Sequence, residues 1–327
     1  MNGKTPHIVQ YQGSKRKLAP QILKYMPERF DRLIEPFSGM VAISIATAME
    51  NRADSYVIND LNAPLVKMLQ EAIERPEKLI NAYRSIWNEQ FSYGDDHVQH
   101  FYVIRDRFNG GDETPANLLY LIARCVKGAV RYGGNGKFNQ SPDKRRHGTH
   151  PDKLEQNVYA ISKLLKGKSS FYALDYHDVF EMARPGDLVY MDPPYQGVTN
   201  ARDNRYFSGV PFNEFAEAIK VLNEKQVDYL ISYDGVCGGK EYGEDLPESL
   251  GCKKILLNAG VSTQATLLGR KSTTLEALYI SESLTASYLT SSDTAPKQMS
   301  LFNEPNMTNN VPNMTNTLSE AISGVMA

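Results

Sequence analysis

Cysteine is scarce in this chain of 327 residues: Cys125, Cys237 and Cys252 are odd in number, lie far apart and form no Cys-x-x-Cys pair. That argues against a disulfide framework and against a cysteine-based zinc site, and no metal is expected. Long apolar runs are missing as well. No stretch approaches the roughly eighteen apolar residues that a membrane span needs, and Met1 to Pro6 holds no apolar leader segment. The expectation is a cytoplasmic protein without membrane contact. A surplus of basic charge is also lacking, since 36 Lys and Arg face 38 Asp and Glu for a net charge of −2. A globally basic nucleic-acid binder is thereby excluded, and binding to a polyanion has to come from local charge. What the chain does have is an apolar fraction of 41%, enough for a sizeable core and too much for a chain that stays mostly unfolded.

Charge is distributed unevenly. Tyr120 to Ser170 holds eleven basic residues against three acids. Inside it lies Arg131-Tyr-Gly-Gly-Asn-Gly-Lys-Phe-Asn139, whose glycine and asparagine content reads as a loop or ribbon rather than a helix. Two readings suit such a segment: a solvated basic face, or a surface that meets phosphates and releases their counterions. From Thr285 onward Ser, Thr, Asn, Pro and Met dominate, and Pro305-Asn-Met-Thr-Asn309 returns as Pro312-Asn-Met-Thr-Asn316. That composition predicts a disordered tail over 285–327.

Between these landmarks the pattern is α/β. Short runs rich in β-formers occur at Leu33–Phe37, Tyr56–Asn59, Ser170–Leu174, Leu188–Met191, Asp228–Tyr233, Lys254–Leu257 and Leu275–Ser281. Most are apolar throughout, as suits strands buried on both faces of a parallel sheet. Helical periodicity falls between them at Arg16–Met26, Val41–Glu50, Ala63–Glu71 and Phe212–Lys225. The alternation predicts a doubly wound, mostly parallel seven-stranded sheet. No comparable strand series occurs from Pro76 to Lys168. The expected organisation is a sheet domain over 1–72 and 169–284, interrupted by a helical insertion over 73–168 that carries the basic loop.

Ligands of open α/β sheets bind beyond the carboxyl ends of the strands. After the first strand stand Glu35-Pro-Phe-Ser-Gly39, a glycine turn entering a helix. It suits close approach of a ligand to the backbone, and it equally suits a tight turn made for geometry alone. After the second strand stand Asn59-Asp60. An acid about twenty residues beyond a glycine turn is placed to bind a ribose hydroxyl pair, and it equally suits an N-cap for the helix near Ala63. Asp175-Tyr176 follow the third strand, and Asp192-Pro-Pro-Tyr195 the fourth. There two prolines stop the strand and stiffen the turn, so a carboxylate, a rigid carbonyl and an aromatic ring share the ligand edge.

Taken together and in this order, these segments resemble a known family, the S-adenosylmethionine-dependent DNA N6-adenine methyltransferases, in the alpha group that includes Dam-like enzymes and type II modification methylases. Tyr11-Gln-Gly-Ser-Lys-Arg-Lys17 is similar to the family's N-terminal cofactor motif, and Glu35–Gly39 to its glycine turn. Asn59-Asp-Leu-Asn62 is similar to its acidic second-strand motif, and Asp192–Tyr195 to its catalytic motif. Gly136-Lys-Phe-Asn139, and Gly269-Arg-Lys with Glu276-Ala-Leu-Tyr279, resemble its substrate-side elements more loosely. The resemblance spans roughly residues 8–282. One departure is Val41, which stands where the family usually has a second glycine and suggests a helix that begins tighter against the ligand.

The resemblance implies a class I methyltransferase fold in which 1–72 and 169–284 are catalytic and 73–168 recognises the target. It implies S-adenosylmethionine as cofactor and duplex DNA as partner. Tyr11 and Lys15 would line the cofactor's methionine end, Phe37 and Gly39 its floor, Asp60 its ribose, and Asp175 and Tyr176 its adenine, with Asp192 beside the donor. The catalytic set would be Asp192, Pro193, Pro194 and Tyr195. Two acceptors, the Asp192 carboxylate and the Pro193 carbonyl, would take the hydrogens of the target amine and free its lone pair, while Tyr195 stacks on the base. The adenine would be flipped out of the duplex. Candidates for DNA contact are Arg124, Lys127, Arg131, Asn135, Lys137, Asn139, Gln140, Lys144, Arg145 and Arg146, because basic groups suit phosphates and guanine and amides suit adenine. Gln298-Met-Ser-Leu-Phe302 resembles the peptide by which bacterial replication and repair proteins dock on the sliding clamp, with Gln298, Leu301 and Phe302 as anchors. Docking of Leu301 and Phe302 back onto the catalytic domain is the other reading. Rival functions on the same fold are methylation of cytosine N4, which needs the same two acceptors, methylation of RNA, and DNA binding without catalysis.

Overall fold

The computed structural model describes residues 5–194, 210–237, 240–241, 243–261 and 273–286. Periodicity predicts one helix over 16–26, and the chain instead forms a short α-helix, α1 (Ala19–Ile22), between 3₁₀ turns at Lys15–Lys17 and Leu23–Tyr25. Pro20 is the reason. It has no N–H to donate and its ring clashes with a preceding helical turn, so it fits only in the first turn of a new helix.

The strands are β1 (Phe30–Glu35), β2 (Ala53–Asn59), β3 (Ser169–Tyr172), β4 (Leu188–Met191), β5 (Asp228–Cys237), β6 (Lys240–Glu241), β7 (Lys253–Val261) and β8 (Thr273–Ile280). β1 lies earlier in the chain than its apolar run suggests and stops at Glu35, because Pro36 cannot continue the ladder. The strands lie in the order β3-β2-β1-β4-β5-β8-β7, with the two-residue β6 paired to β5. Neighbours from β3 to β5 are parallel, and β8 runs antiparallel between β5 and β7. The result is a mostly parallel, doubly wound sheet whose order reverses between β1 and β4.

Both faces of this sheet are covered, which explains the unbroken apolar runs. All four residues of β4 are buried. Leu188 and Tyr190 join one core and Val189 and Met191 the other, and Leu33 and Ile34 divide in the same way. The helices packed around the sheet are α2 (Ala42–Met49), α3 (Ala63–Glu74), α8 (Tyr176–Glu181) and α9 (Phe212–Glu224). Between α3 and β3 come α4 (Pro76–Glu89), α5 (His97–Asn109), α6 (Pro115–Arg124) and α7 (Pro151–Leu165).

The glycine-rich segment between α6 and α7 folds back on itself. Gly133 N–H donates to Lys137 O (2.8 Å), Asn139 N–H donates to Arg131 O (3.0 Å), and Tyr132 bridges to Phe138. The Asn109 side chain brackets this ribbon, donating to Phe138 O (3.0 Å) and accepting from Phe138 N–H (2.8 Å). Tyr132 OH donates to Asn62 Oδ1 (3.2 Å), which fastens the ribbon to the loop after β2.

Among the described residues no helix is long and apolar enough to cross a membrane. Thr285 still donates its N–H to Ser281 O (3.1 Å). Tyr195, Gly269-Arg-Lys271 and the Gln298–Phe302 peptide lie outside the described residues.

Candidate active site

A cavity of about 470 Å³ opens at the carboxyl ends of the parallel strands, beside the point where the strand order reverses. Its size falls within the roughly 300–1,000 Å³ of small-molecule sites. Tyr11, Lys15, Phe37, Gly39, Asp60, Asp175, Tyr176, Asp192 and Pro194 all line it. One chamber thus collects residues from five separate motifs.

The turn after β1 is built around a buried acid. Glu35 accepts the Ser44 N–H (3.0 Å) and the Ser44 hydroxyl, and burial pushes its carboxyl up to about 8. Gly39 and Val41 both adopt left-handed backbone, at φ 47° and 50°. A β-branched residue there is strained by on the order of 1–2 kcal/mol. Val41 is fully buried, and packing holds it in a backbone that glycine would adopt freely. The departure from the family's second glycine therefore alters the side chain while the turn keeps a glycine-like path.

Asp60 is held by two backbone amides. Gly39 N–H donates to its Oδ2 and Asn62 N–H to its Oδ1, each at 3.0 Å. Burial raises its pKa and the two amides oppose that rise. The cap of α3 is Asn62, whose side chain accepts from Leu65 N–H (3.4 Å). Asp60 is thus free of capping duty and joins the turns after β1 and β2 at the cavity wall.

The sequence offered Asn59 only as the neighbour of Asp60 in the second-strand motif, with no role of its own. Its buried amide donates to Pro36 O (2.9 Å) and Leu174 O (3.0 Å) and accepts from Leu174 N–H (2.9 Å). One side chain therefore staples the ends of β1, β2 and β3. An Asn ending an apolar run was the only signal, and it does not distinguish a staple from a turn.

Aromatic rings form the far wall. Phe37 and Tyr176 have centroids 5.4 Å apart, and Tyr176 stacks on His177 at 4.1 Å. Asp175 caps α8 by accepting His177 N–H (3.0 Å), and its carboxylate also meets the His177 ring (2.6 Å).

At the end of β4, Asp192 Oδ1 lies 2.8 Å from Lys15 Nζ. Lys15 Nζ is also 3.2 Å from Glu276 Oε1 on β8. Burial pushes the Asp192 carboxyl up to about 6, with Lys15 pulling it down and Glu276 pushing it further up. Glu276 is a site residue that the sequence offered only as part of a loosely matching segment.

Unpaired polar atoms mark the cavity as a ligand site. Among the described residues, Ser38 Oγ, Tyr176 OH and Arg131 Nε are buried without a hydrogen-bond partner, and all three residues line the chamber. Buried polar groups are normally satisfied, so these atoms point to a polar ligand. Asp60, Asp175, Asp192 and Glu214 outnumber Lys15 and Arg131 in the lining, which suits a ligand carrying positive charge and hydroxyl donors.

The DNA candidates divide. Lys127, Asn135, Lys137, Asn139, Lys144, Arg145 and Arg146 are exposed, while Arg131 and Gln140 are half-buried. Arg124 is a correction: it is wholly buried. Its guanidinium donates to His97 O (3.2 Å), Asp143 O (3.2 Å) and Tyr120 OH (3.4 Å). Its charge is spent tying α6 to α5 and to the segment after the ribbon, where no phosphate reaches it.

A doubly wound sheet with a glycine turn, a second-strand acid and a fourth-strand Asp-Pro-Pro on one cavity is the architecture of a class I methyltransferase. Residues 11–261 match the model of the D12 class N6 adenine-specific DNA methyltransferase family, and the chain belongs to that family. It is 27% identical over 191 residues to the DNA adenine methylase of Serratia marcescens, covering 58% of this chain and 66% of that protein. It is 29% identical over 224 residues to the DNA N-6-adenine-methyltransferase of Escherichia phage P1, covering 66% of this chain and 27% of the phage protein. Against the type II methyltransferase M1.LlaDCHI of Lactococcus lactis subsp. cremoris it is 27% identical over 238 residues, 69% of this chain and 80% of that one. The match spans less than two thirds of the length of the first two relatives. Of the two amines that the sequence left open, this family is named for adenine.

Proposed function

We propose that this chain transfers a methyl group from S-adenosylmethionine to the N6 amine of an adenine flipped out of duplex DNA. What supports this most is that Asp192 ends β4 on the same cavity as the Gly39 turn and the Asp60 carboxylate. When bound, the cofactor supplies an electrophilic methyl group on a cationic sulfur. In this reading Asp60 receives the ribose hydroxyls, Phe37 and Gly39 form the floor, and Asp175 and Tyr176 border the adenine. Tyr11 and Lys15 face the methionine end.

The adenine amine is a weak nucleophile because its lone pair is drawn into the ring. The Asp192 carboxylate and the Pro193 carbonyl accept its two hydrogens and turn the lone pair toward the methyl group. Orientation of this kind contributes at most about 7–11 kcal/mol. Asp192 also stabilises positive charge as it grows on the nitrogen. Pro194 stiffens the turn, and Tyr195 stacks on the flipped base. Flipping costs a few kcal/mol, offset by stacking and by contacts to the base edge. The recognition domain is 73–168, set into a catalytic domain of 1–72 and 169–284. In it Lys127, Lys137, Lys144, Arg145 and Arg146 hold phosphates, and Arg131, Asn135, Asn139 and Gln140 are the candidates for base edges. Gln298, Leu301 and Phe302 dock on a sliding clamp, a reading that rests on the peptide alone and falls if a tail peptide does not bind the clamp.

The test is transfer of a labelled methyl group to duplex DNA, with the methylated base mapped by sequencing. Asp192→Ala is expected to abolish transfer and to leave DNA affinity nearly unchanged. Normal turnover by that variant, or label on cytosine or RNA in place of duplex adenine, ends the proposal.

A further inference from the structure

Among the described residues the Lys15 ammonium meets two carboxylates, and the proposed reaction uses only one of them. Asp192 holds it at 2.8 Å and Glu276 at 3.2 Å. All three side chains are enclosed, with exposures of 9% for Lys15, 12% for Glu276 and 22% for Asp192. Glu276 reaches this edge from β8, the strand that runs against its neighbours. The sequence offered it only within a loosely matching segment and gave it no role.

The arrangement poses a competition. The target amine needs acceptor positions on Asp192, and Lys15 occupies one of its oxygens. A buried ammonium does not give up a carboxylate without another to take its place. Glu276 stands at nearly the same distance, so Lys15 can lean toward it and remain paired. The net charge points the same way. One cation between two carboxylates leaves a negative charge, which complements a cationic donor and an amine that turns positive.

We propose that Glu276 is a positioning residue, which draws Lys15 off Asp192 while the target amine occupies the Asp192 carboxylate. The inference rests on the methyl transfer proposed above. Among the described residues, the groups that face Asp192 are Lys15 from the N-terminal segment, Glu276 from β8, Tyr190 from β4 and Glu35 from β1. Burial keeps the Tyr190 hydroxyl well above its ordinary value and holds Glu35 up at about 8, so both are mainly neutral at pH 7. Among the described residues, Lys15 and Glu276 are therefore the charges that tune this carboxylate. Removing the Glu276 charge lets the Asp192 pKa fall from about 6.

The experiment uses the full chain, duplex DNA with 2-aminopurine next to the target adenine, and labelled S-adenosylmethionine. In Glu276→Gln, kcat on ordinary duplex is expected to fall by up to about a hundredfold. The acid limb of its pH profile moves below the wild-type position, and the fluorescence of the neighbouring 2-aminopurine, which rises when the target adenine leaves the stack, drops at unchanged DNA affinity. Adding Lys15→Met to Glu276→Gln is expected to restore the flipped fraction, because no ammonium then competes. An unmoved acid limb with full kcat overturns the proposal, as does a flipped fraction that Lys15→Met does not restore. Should Glu276→Gln not fold, Glu276→Asp takes its place in the fluorescence assay, with a smaller drop expected and the same restoration. A wild-type protein that transfers no methyl group to duplex adenine instead sinks the functional reading on which this inference stands.

Discussion

At the scale of single residues, the consequence of burying an acid at a strand end is sharpest for Glu35. It is 2% exposed, and its carboxyl moves from 4.5 to about 8 on folding. The folded state holds this proton more tightly than the unfolded chain does. The stability it contributes is therefore full below about pH 4.5 and is lost as pH rises through about 8, at about 1.4 kcal/mol per pH unit in between. Glu35→Gln keeps an acceptor for Ser44 and removes the ionisation. Its melting temperature is expected to gain on the wild type steadily between pH 5 and pH 8 and to level off above, and melting curves that shift in parallel would refute the argument. Some residues here announce themselves in one dimension and others do not. Asp192 was readable because two prolines mark the end of an apolar run. Asn59, at the end of β2, and Glu276, in the middle of β8, were not, since an amide or an acid within a strand has no distinctive neighbours and the groups it meets lie far away in the chain.

At the scale of elements, the strands were legible because both faces of the sheet are covered, so each central strand is apolar throughout. Their ends were less so, and prolines decided them: Pro36 stops β1, and Pro20 breaks the first helix. Basic charge in the segment 120–170 was equally plain, but not which way each charge points. Buried residues of α6 run nearly from end to end, and Arg124 goes inward with them. Arg124→Met leaves the carbonyls of His97 and Asp143 without this donor, at about 1–3 kcal/mol for each group orphaned. Thermal melting is expected several degrees below the wild type. The triple change Lys144→Ala, Arg145→Ala and Arg146→Ala is expected to spare the melting temperature. It should flatten the dependence of log affinity for DNA on log salt concentration by about 0.9 per lost phosphate contact. A salt slope equal to that of the wild type would remove this loop from the DNA surface.

At the scale of the whole molecule, the segment after α6 meets the N-terminal segment through backbone. Gly128, just after α6, accepts the Gln12 N–H at 3.1 Å. Its φ is +61°, and a Cβ there would stand 1.9 Å from Gln10 O. Only glycine permits so close an approach. With the Tyr132 bond to Asn62, this contact seats the glycine-rich ribbon on two loops that line the cavity. Gly128→Ala is expected to weaken cofactor binding and DNA binding together, each several-fold, as measured by calorimetry and by fluorescence titration. Loss of one with the other intact would show that the two surfaces are mechanically separate. The linear order of residues was enough to establish the strand and helix series, the glycine turn and the acids at strand ends, because local periodicity and proline or glycine punctuation act over a few residues. Folding alone decided which carboxylates share the Lys15 ammonium, which arginine turns inward and which glycine touches a distant backbone, because each depends on groups far apart in sequence that meet only when the sheet closes around them.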